Sequence, residues 1–323
     1  MDALTRVRFG GTDLRVTRLG LGLAPIGALT GPDAPRHAVA TVDRAWERGL
    51  RLFDTAPYYG PGRSEWWAGS ALRRRPRGEF VFSTKVGRLL RGWRPGSAPR
   101  EGLTPYFDFS PGAVRRSLAA SLDRTGLSRV DLLHLHDPDD HWEPAAGGAL
   151  EALHELRTAG QIGAVSVGMN QTAMLTRFVT ERRVDGILVA GRYSLLDQSA
   201  ADRLLPACAE RGIGVLVGGV FNSSVLADPR PGATYDYAPV DAERLARARA
   251  IGAVCERYGV PLRAAAIQFP FGHPAVTAVL FGAKSADEVD AALDSFRHDI
   301  PRQLWRALKD EGLLPESVPV PVP

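Results

Sequence analysis

Residues 50–60 read Leu50-Arg51-Leu52-Phe53-Asp54-Thr55-Ala56-Pro57-Tyr58-Tyr59-Gly60, an apolar run that ends on a carboxylate and opens into a loop with two phenols. Ser83-Thr84-Lys85 repeats the construction, a strand ending on an ammonium, and residues 131–136 repeat it again, ending on His136. Further runs of this kind lie at 19–23, 164–168, 186–190, 214–217 and 277–281, which brings the candidate strands to eight. Several are almost wholly apolar, the signature of parallel strands covered on both faces.

Helical patterns fill the intervals. Ser110-Pro111 is a start signal, a capping serine with proline in the first turn, and leads into Val114, Leu118 and Leu122 at helical spacing. Leu150, Leu153 and Leu156 form a second stripe that Gly160 terminates. Ser285-Ala286-Asp287-Glu288 reads as a capping box ahead of Val289, Leu293 and Phe296. Strands alternating with helices in this number predict an α/β fold, a (β/α)8 TIM barrel, with a doubly wound open sheet as the alternative. Segments 6–9 and 14–17 flank Gly10-Gly11-Thr12-Asp13 and predict an N-terminal β-hairpin within residues 1–18. No linker divides the chain, so residues 1–323 are read as one barrel domain. Two long stretches, 87–109 and 222–239, interrupt the alternation as loops, and the proline-rich segment 314–323 reads as an extended, poorly ordered tail.

With 45% apolar and 24% charged residues the chain has ordinary globular composition. Its net charge of +4 comes from scattered arginines. The densest run, Arg73-Arg74-Arg75-Pro76-Arg77, lacks the aromatic interleaving of a nucleic-acid surface, so it reads as a solvated helix end. Cys208 and Cys255 stand among apolar neighbours without metal-ligand spacing and read as buried free thiols, with no metal expected. No apolar leader opens the sequence, and no run reaches the ~18 apolar residues of a membrane span. The expectation is a cytoplasmic protein, a monomer or weak homo-oligomer, with neither nucleic-acid nor membrane partners.

Asp54, Tyr59, Lys85 and His136 mark three consecutive strand ends, and a barrel gathers such ends on one rim. Each has an ordinary alternative: Asp54 as a turn former, Lys85 as a solvated charge, His136 as a packed core residue beside His134. Together they make a proton-transfer device, because a phenol is a poor acid near neutrality unless a cation stabilises its anion. Asp54-Thr55-Ala56-x-x-Tyr59-Gly60, Lys85 within Ser-Thr-Lys-Val-Gly, and Asp131-x-x-x-x-His136-x-Pro138 resemble the motifs of the aldo-keto reductases. Val165-x-Val167-Gly168-Met169-Asn170 is similar to that family's carboxamide-binding segment, and 280–285 to its phosphate-binding segment. The likeness spans about residues 9–296.

That resemblance implies Tyr59 as general acid in reduction and base in oxidation, Lys85 lowering its pKa, Asp54 holding Lys85, and His136 orienting the substrate oxygen. It implies a nicotinamide cofactor contacted by Gly22, Met169, Asn170, Gly219, Val220, Phe221 and Asn222. A phosphate site follows at Gly282, Ala283, Lys284, Ser285 and Glu288. The chain departs from the family pattern at Met169, where serine is common, and at Ala190, where a glutamine usually contacts the amide. Where NADP-using relatives carry basic residues this sequence has Gly282 and Glu288, which favours NAD over NADP. Stretches 134–140, 191–198 and 218–223 are similar to dehydrogenases that oxidise L-fucose, L-galactose or related D-threo-aldoses at C1 to the lactone; pyridoxal 4-dehydrogenase shares much of the pattern. Tyr58, Trp93, Asp137 and Arg192 are the candidate substrate contacts. A general NADPH aldehyde or ketone reductase, and a cofactor-binding regulatory barrel without catalysis, are the alternatives.

Overall fold

The computed structural model describes residues 2–322. Eight parallel strands form a closed barrel. They are β1 (Leu19–Gly22), β2 (Leu52–Asp54), β3 (Val81–Val86), β4 (Leu132–His136), β5 (Ala164–Met169), β6 (Gly186–Ala190), β7 (Gly214–Gly218) and β8 (Val276–Gly282). Each lies where the apolar runs place it, within about two residues at its ends. Pairing of β8 back onto β1 closes the ring and excludes the open sheet.

The inner wall is built in layers. Leu52, Val81, Leu132 and Ala164 sit in an apolar cluster with Phe9. Two residues further along the same strands come Asp54, Ser83, His134 and Ser166, and beyond them Lys85, His136 and Gly168. The period of two along a strand keeps each of these series on one face. The N-terminal hairpin, Arg6–Arg8 with Arg15–Thr17, presents Phe9 to the bottom of the barrel. Gly186 and Gly214 make room for its ring: a Cβ on either would lie 2.1 and 2.7 Å from Phe9 atoms. Burying such a side chain stabilises the fold by roughly 1.5–3 kcal/mol.

Outside the barrel, helix Pro111–Thr125 starts at Ser110, whose hydroxyl accepts from the Ala113 N–H at 3.2 Å. Helix Ala286–Arg297 starts at Ser285 in the same way, accepting from the Glu288 N–H at 3.2 Å. Cys208 and Cys255 are buried free thiols. Among the described residues no helix is long and apolar enough to cross a membrane.

Three segments differ from the sequence reading. Stretch 87–109 is not all loop: Arg88–Arg91 pairs antiparallel with Thr104–Phe107, strands too short for alternation to reveal them. Within 222–239, Thr234–Tyr235 pairs with Ala238–Pro239 around Asp236 and Tyr237, both left-handed at φ 48° and 65°. The tail is packed rather than loose, because Leu314 and Val318 are buried and carry it against the body of the protein. The backbone at Val320 comes so close to Gly272 that a Cβ there would meet it at 2.6 Å.

Candidate functional site

Strand register brings the rim groups together. Asp54 is paired across from Ser83, Lys85 from His134, and His136 from Gly168. Lys85 Nζ donates to Asp54 Oδ2 at 2.6 Å and to the Thr55 carbonyl at 2.9 Å. Burial alone would lower the Lys85 pKa, but the neighbouring Asp54 carboxylate and Tyr59 outweigh it and the net shift is upward. The ammonium therefore stays charged.

Tyr59 follows in the loop after β2, and Gly60 explains why a glycine comes next. Its φ is 58°, and a Cβ there would lie 1.9 Å from the Gly27 carbonyl oxygen. Lys85 Nζ stands 4.9 Å from the centroid of the Tyr59 ring. The phenol is nonetheless pushed up to about 12. Burial is the largest cause; Lys85 opposes it, while Asp54 and Tyr237 add to it. The expected downward pull of Lys85 is present, but desolvation wins in sum.

His136 is neutral: burial first, then the charges of Lys85 and Arg88, hold its pKa well below the usual value. Its ring lies edge-on to Tyr59 at 5.8 Å. Among the described residues, its buried Nδ1 has no hydrogen-bond partner. Asp137, in the left-handed region at φ 45°, turns its carboxylate to within 3.7 Å of His136 Nε2 and pairs with Arg88 at 2.9 Å. Burial raises the Asp137 pKa, with Arg88 opposing. Tyr58 is 43% exposed, with the Arg88 guanidinium 4.7 Å above its ring.

These groups border a cleft with two lobes that share Tyr59, Asn170, Ala190 and Tyr237. The first, about 320 Å³, is lined by Gly22, Asn170, Gly219, Val220 and Phe221, with Asn222 and Gly282 at its wall. The second, about 800 Å³, is lined by Tyr58, Lys85, Arg88, His136, Asp137 and Met169. The first lobe is bare backbone on one side: a Cβ on Gly22 or Gly218 would meet nothing nearer than 3.5 Å. With the Asn222 amide engaged elsewhere, the Asn170 carboxamide is the amide partner this lobe offers to a planar ring bearing an amide. Gly20, by contrast, has a packing role, since a Cβ there would collide with Leu52 at 2.7 Å.

Several sequence candidates have other engagements. Asn222 is buried, accepts from Ser194 Oγ at 2.5 Å and donates to the Gly191 carbonyl at 3.0 Å, so its side chain locks two loops. Arg192 does not line the cleft; it grips Asp236 at 3.1 and 2.7 Å. Trp93 lies away from both lobes, its ring beneath Arg124 at 5.0 Å. Ala283, Lys284, Ser285 and Glu288 also stand outside the lobes, and Glu288 Oε2 accepts from the Lys284 N–H at 2.9 Å. Sequence reasoning did not place Tyr237 at the site; the only signal was an aromatic–acid–aromatic triplet in a long loop.

Residues 18–310 match the Aldo/keto reductase family. The chain belongs to that family. It is 39% identical to the pyridoxal 4-dehydrogenase of Microbacterium luteolum, over 97% of this chain and 99% of that one. It is also 39% identical to the D-threo-aldose 1-dehydrogenase of a Pseudomonas species, over 94% and 96%. The fold matches the glycerol dehydrogenase structure from Gluconobacter oxydans with a TM-score of 0.76 at 24% identity, covering 99% and 98%. Aldo-keto reductases use nicotinamide cofactors and act on small molecules, so this chain is an oxidoreductase of that kind. Among the described residues no metal-binding group of acids, histidines and cysteines occurs.

Proposed function

We propose that this aldo-keto reductase oxidises an aldose at C1 with NAD, giving the lactone from the cyclic hemiacetal. The carrying observation is that Tyr59, which borders both lobes, meets Lys85 and His136 in the larger one, with Asp54 bound to Lys85. In this reading Gly22, Asn170, Gly219, Val220 and Phe221 hold the nicotinamide end of the cofactor. Met169 flanks it, and 282–285 receive the phosphates. When bound, the nicotinamide supplies the acceptor or donor of hydride.

Tyr59 takes the C1 hydroxyl proton in oxidation and returns it in reduction. Lys85 favours the phenolate by its charge, and Asp54 keeps Lys85 in place. Neutral His136 exchanges a hydrogen bond with the substrate oxygen without competing for the proton. Arg88 and Asp137, a donor and an acceptor side by side on the larger lobe, suit neighbouring sugar hydroxyls. Tyr58 supplies an aromatic wall. Arg192 then serves the site indirectly, by fixing Asp236 and the turn that carries Tyr237.

NAD is favoured by the first turn of helix Ala286–Arg297, which carries Asp287 and Glu288 and would repel a 2′-phosphate. Lys284 is the cation available nearby. Pyridoxal oxidation is a second reading, supported by identity to that enzyme equal to the identity to the aldose enzyme. Initial rates on L-fucose, L-galactose, other aldoses, pyridoxal and simple aldehydes, each with NAD(H) and NADP(H), test the assignment. Fastest turnover of an aldose with NAD is expected. Preference for pyridoxal or for NADPH with simple aldehydes would replace it, and cofactor binding without any turnover would point to a regulatory barrel.

A further inference from the structure

Below the rim, a line of hydrogen bonds crosses four strands. Asp54 Oδ1 accepts from Ser83 Oγ at 2.7 Å; Ser83 Oγ lies 2.8 Å from His134 Nε2; His134 Nδ1 lies 2.8 Å from Ser166 Oγ. All four side chains are buried. The proton positions follow from the donor inventory. Asp54, facing the Lys85 ammonium through its other oxygen, only accepts. Ser83 has one hydroxyl proton and gives it to Asp54, so Ser83 must accept from an N–H at His134 Nε2. A neutral imidazole protonated there has a bare Nδ1, which accepts from Ser166. Every bond in the series therefore points the same way, from Ser166 through His134 and Ser83 to Asp54.

We propose that His134 is a positioning residue for the reaction, acting through Ser83 to fix the Asp54 carboxylate that holds Lys85 beside Tyr59. The inference rests on the reading of Tyr59 as acid and base. Leucine at 134 has a side chain of comparable size. What it would lack is a donor on one side and an acceptor on the other, 2.8 Å from each serine. The charged and titratable groups facing His134 are Asp54 on β2, at 3.6 Å from Nε2, and Lys85, paired with it from β3. His136 stands two residues along on its own strand, and β5 contributes only the neutral Ser166. Burial and the Lys85 charge keep the imidazole neutral, as the proton order requires.

His134→Leu removes both hydrogen-bonding atoms, whereas His134→Gln returns an amide N–H and an amide oxygen at comparable spacing. With Asp54 less firmly held, Lys85 supports the Tyr59 phenolate less well. In H134L we expect kcat to fall about tenfold with substrate KM unchanged, and the pH profile of oxidation to move about half a unit or more to the alkaline side. H134Q should restore both. If H134L does not fold, Ser166→Ala, which removes the last donor, should give the same shift at smaller amplitude. 15N NMR of histidine-labelled enzyme should show His134 as the neutral Nε2–H tautomer at pH 7. A wild-type profile and kcat per folded molecule in H134L and S166A, or an Nδ1–H or doubly protonated ring, would overturn the proposal while leaving Tyr59 untouched. Wild-type enzyme with no turnover on any carbonyl or aldose would break the reading of Tyr59 itself.

Discussion

Strand β3 feeds two buried ion pairs, one on each of its faces. Lys85 points into the barrel toward Asp54, while Thr84 points outward and donates to Glu65 Oε1 at 2.7 Å, whose other oxygen takes Arg124 Nε at 2.5 Å. Both pairs are sealed: the side chains are 2% and 4% exposed in the inner pair, 2% and 0% in the outer. The outer pair ties helix Arg63–Leu72 to helix Pro111–Thr125, and among the described residues neither partner has a buried polar atom without a bond. The inner pair borders a cleft, beside a phenol and beside His136 with its unpartnered Nδ1. Buried charge by itself does not mark a site of chemistry. Open volume and unsatisfied hydrogen-bonding capacity next to it do.

The largest test of that contrast is Tyr59→Phe. It should lower turnover about 10²–10⁴-fold, with circular dichroism and cofactor binding by fluorescence titration unchanged; retained turnover would put the inner pair on the same footing as the outer. In the wild type, oxidation should accelerate steadily with alkalinity because the phenol sits at about 12 before the cofactor is bound. A plateau below neutrality would contradict that role.

Arg124→Met probes the outer pair. Leaving Glu65 buried and unpaired should cost about 3–5 kcal/mol in urea unfolding, with kcat per folded molecule nearly unchanged. A matching loss of kcat would mean that the two faces of β3 are coupled.

A smaller effect separates the faces by pH. His134 and His136, on the inner side, are both held neutral, their pKa values lowered by burial and then by Lys85. The unfolded chain takes up protons near pH 6.5 that the native state refuses, so stability is full above that pH and declines below it. Each histidine should contribute a loss of about 1.4 kcal/mol per pH unit below 6.5. His154 and His273 shift in the same direction. Urea midpoints from pH 7.5 to 5.0 should fall less steeply in H134Q; equal slopes would show that His134 is charged in the native protein. Smallest of all, Glu288→Ala should remove the first-turn carboxylate that accepts from the Lys284 N–H, at a cost of about 0.3–1 kcal/mol, and raise the NADP-to-NAD ratio of kcat/KM a few-fold. An unchanged ratio would confine Glu288 to its helix.

The barrel was legible because strands buried on both faces must be apolar runs, and because a rim residue such as Asp54 or His136 breaks the run where the strand ends. Trp93 and Arg192 lie off the cleft, a placement that loop composition could not give because it names residue types without saying which way they face. Arg124 draws one aside, and Asp236 holds the other. The hairpin around Arg88 escaped notice because four-residue strands with Pro105 in one of them carry little periodicity. Tyr237 escaped because a left-handed tyrosine at φ 65° is rare, and the Ser223 hydroxyl that accepts from its N–H is 14 residues away in the chain. The series from Ser166 to Asp54 depends on the register of four strands, which only the closed barrel supplies.

Phe9 has a kinetic consequence. Its ring, with the apolar layer above it, stops the far end of the barrel, and the cleft at the rim is the open end. On the proposed reading, reactant and product share that open end, and a deuteron entering there on its way to the His134 ring crosses the space assigned to substrate. A bound ligand therefore acts as a cork, slowing isotope exchange at a ring it never touches.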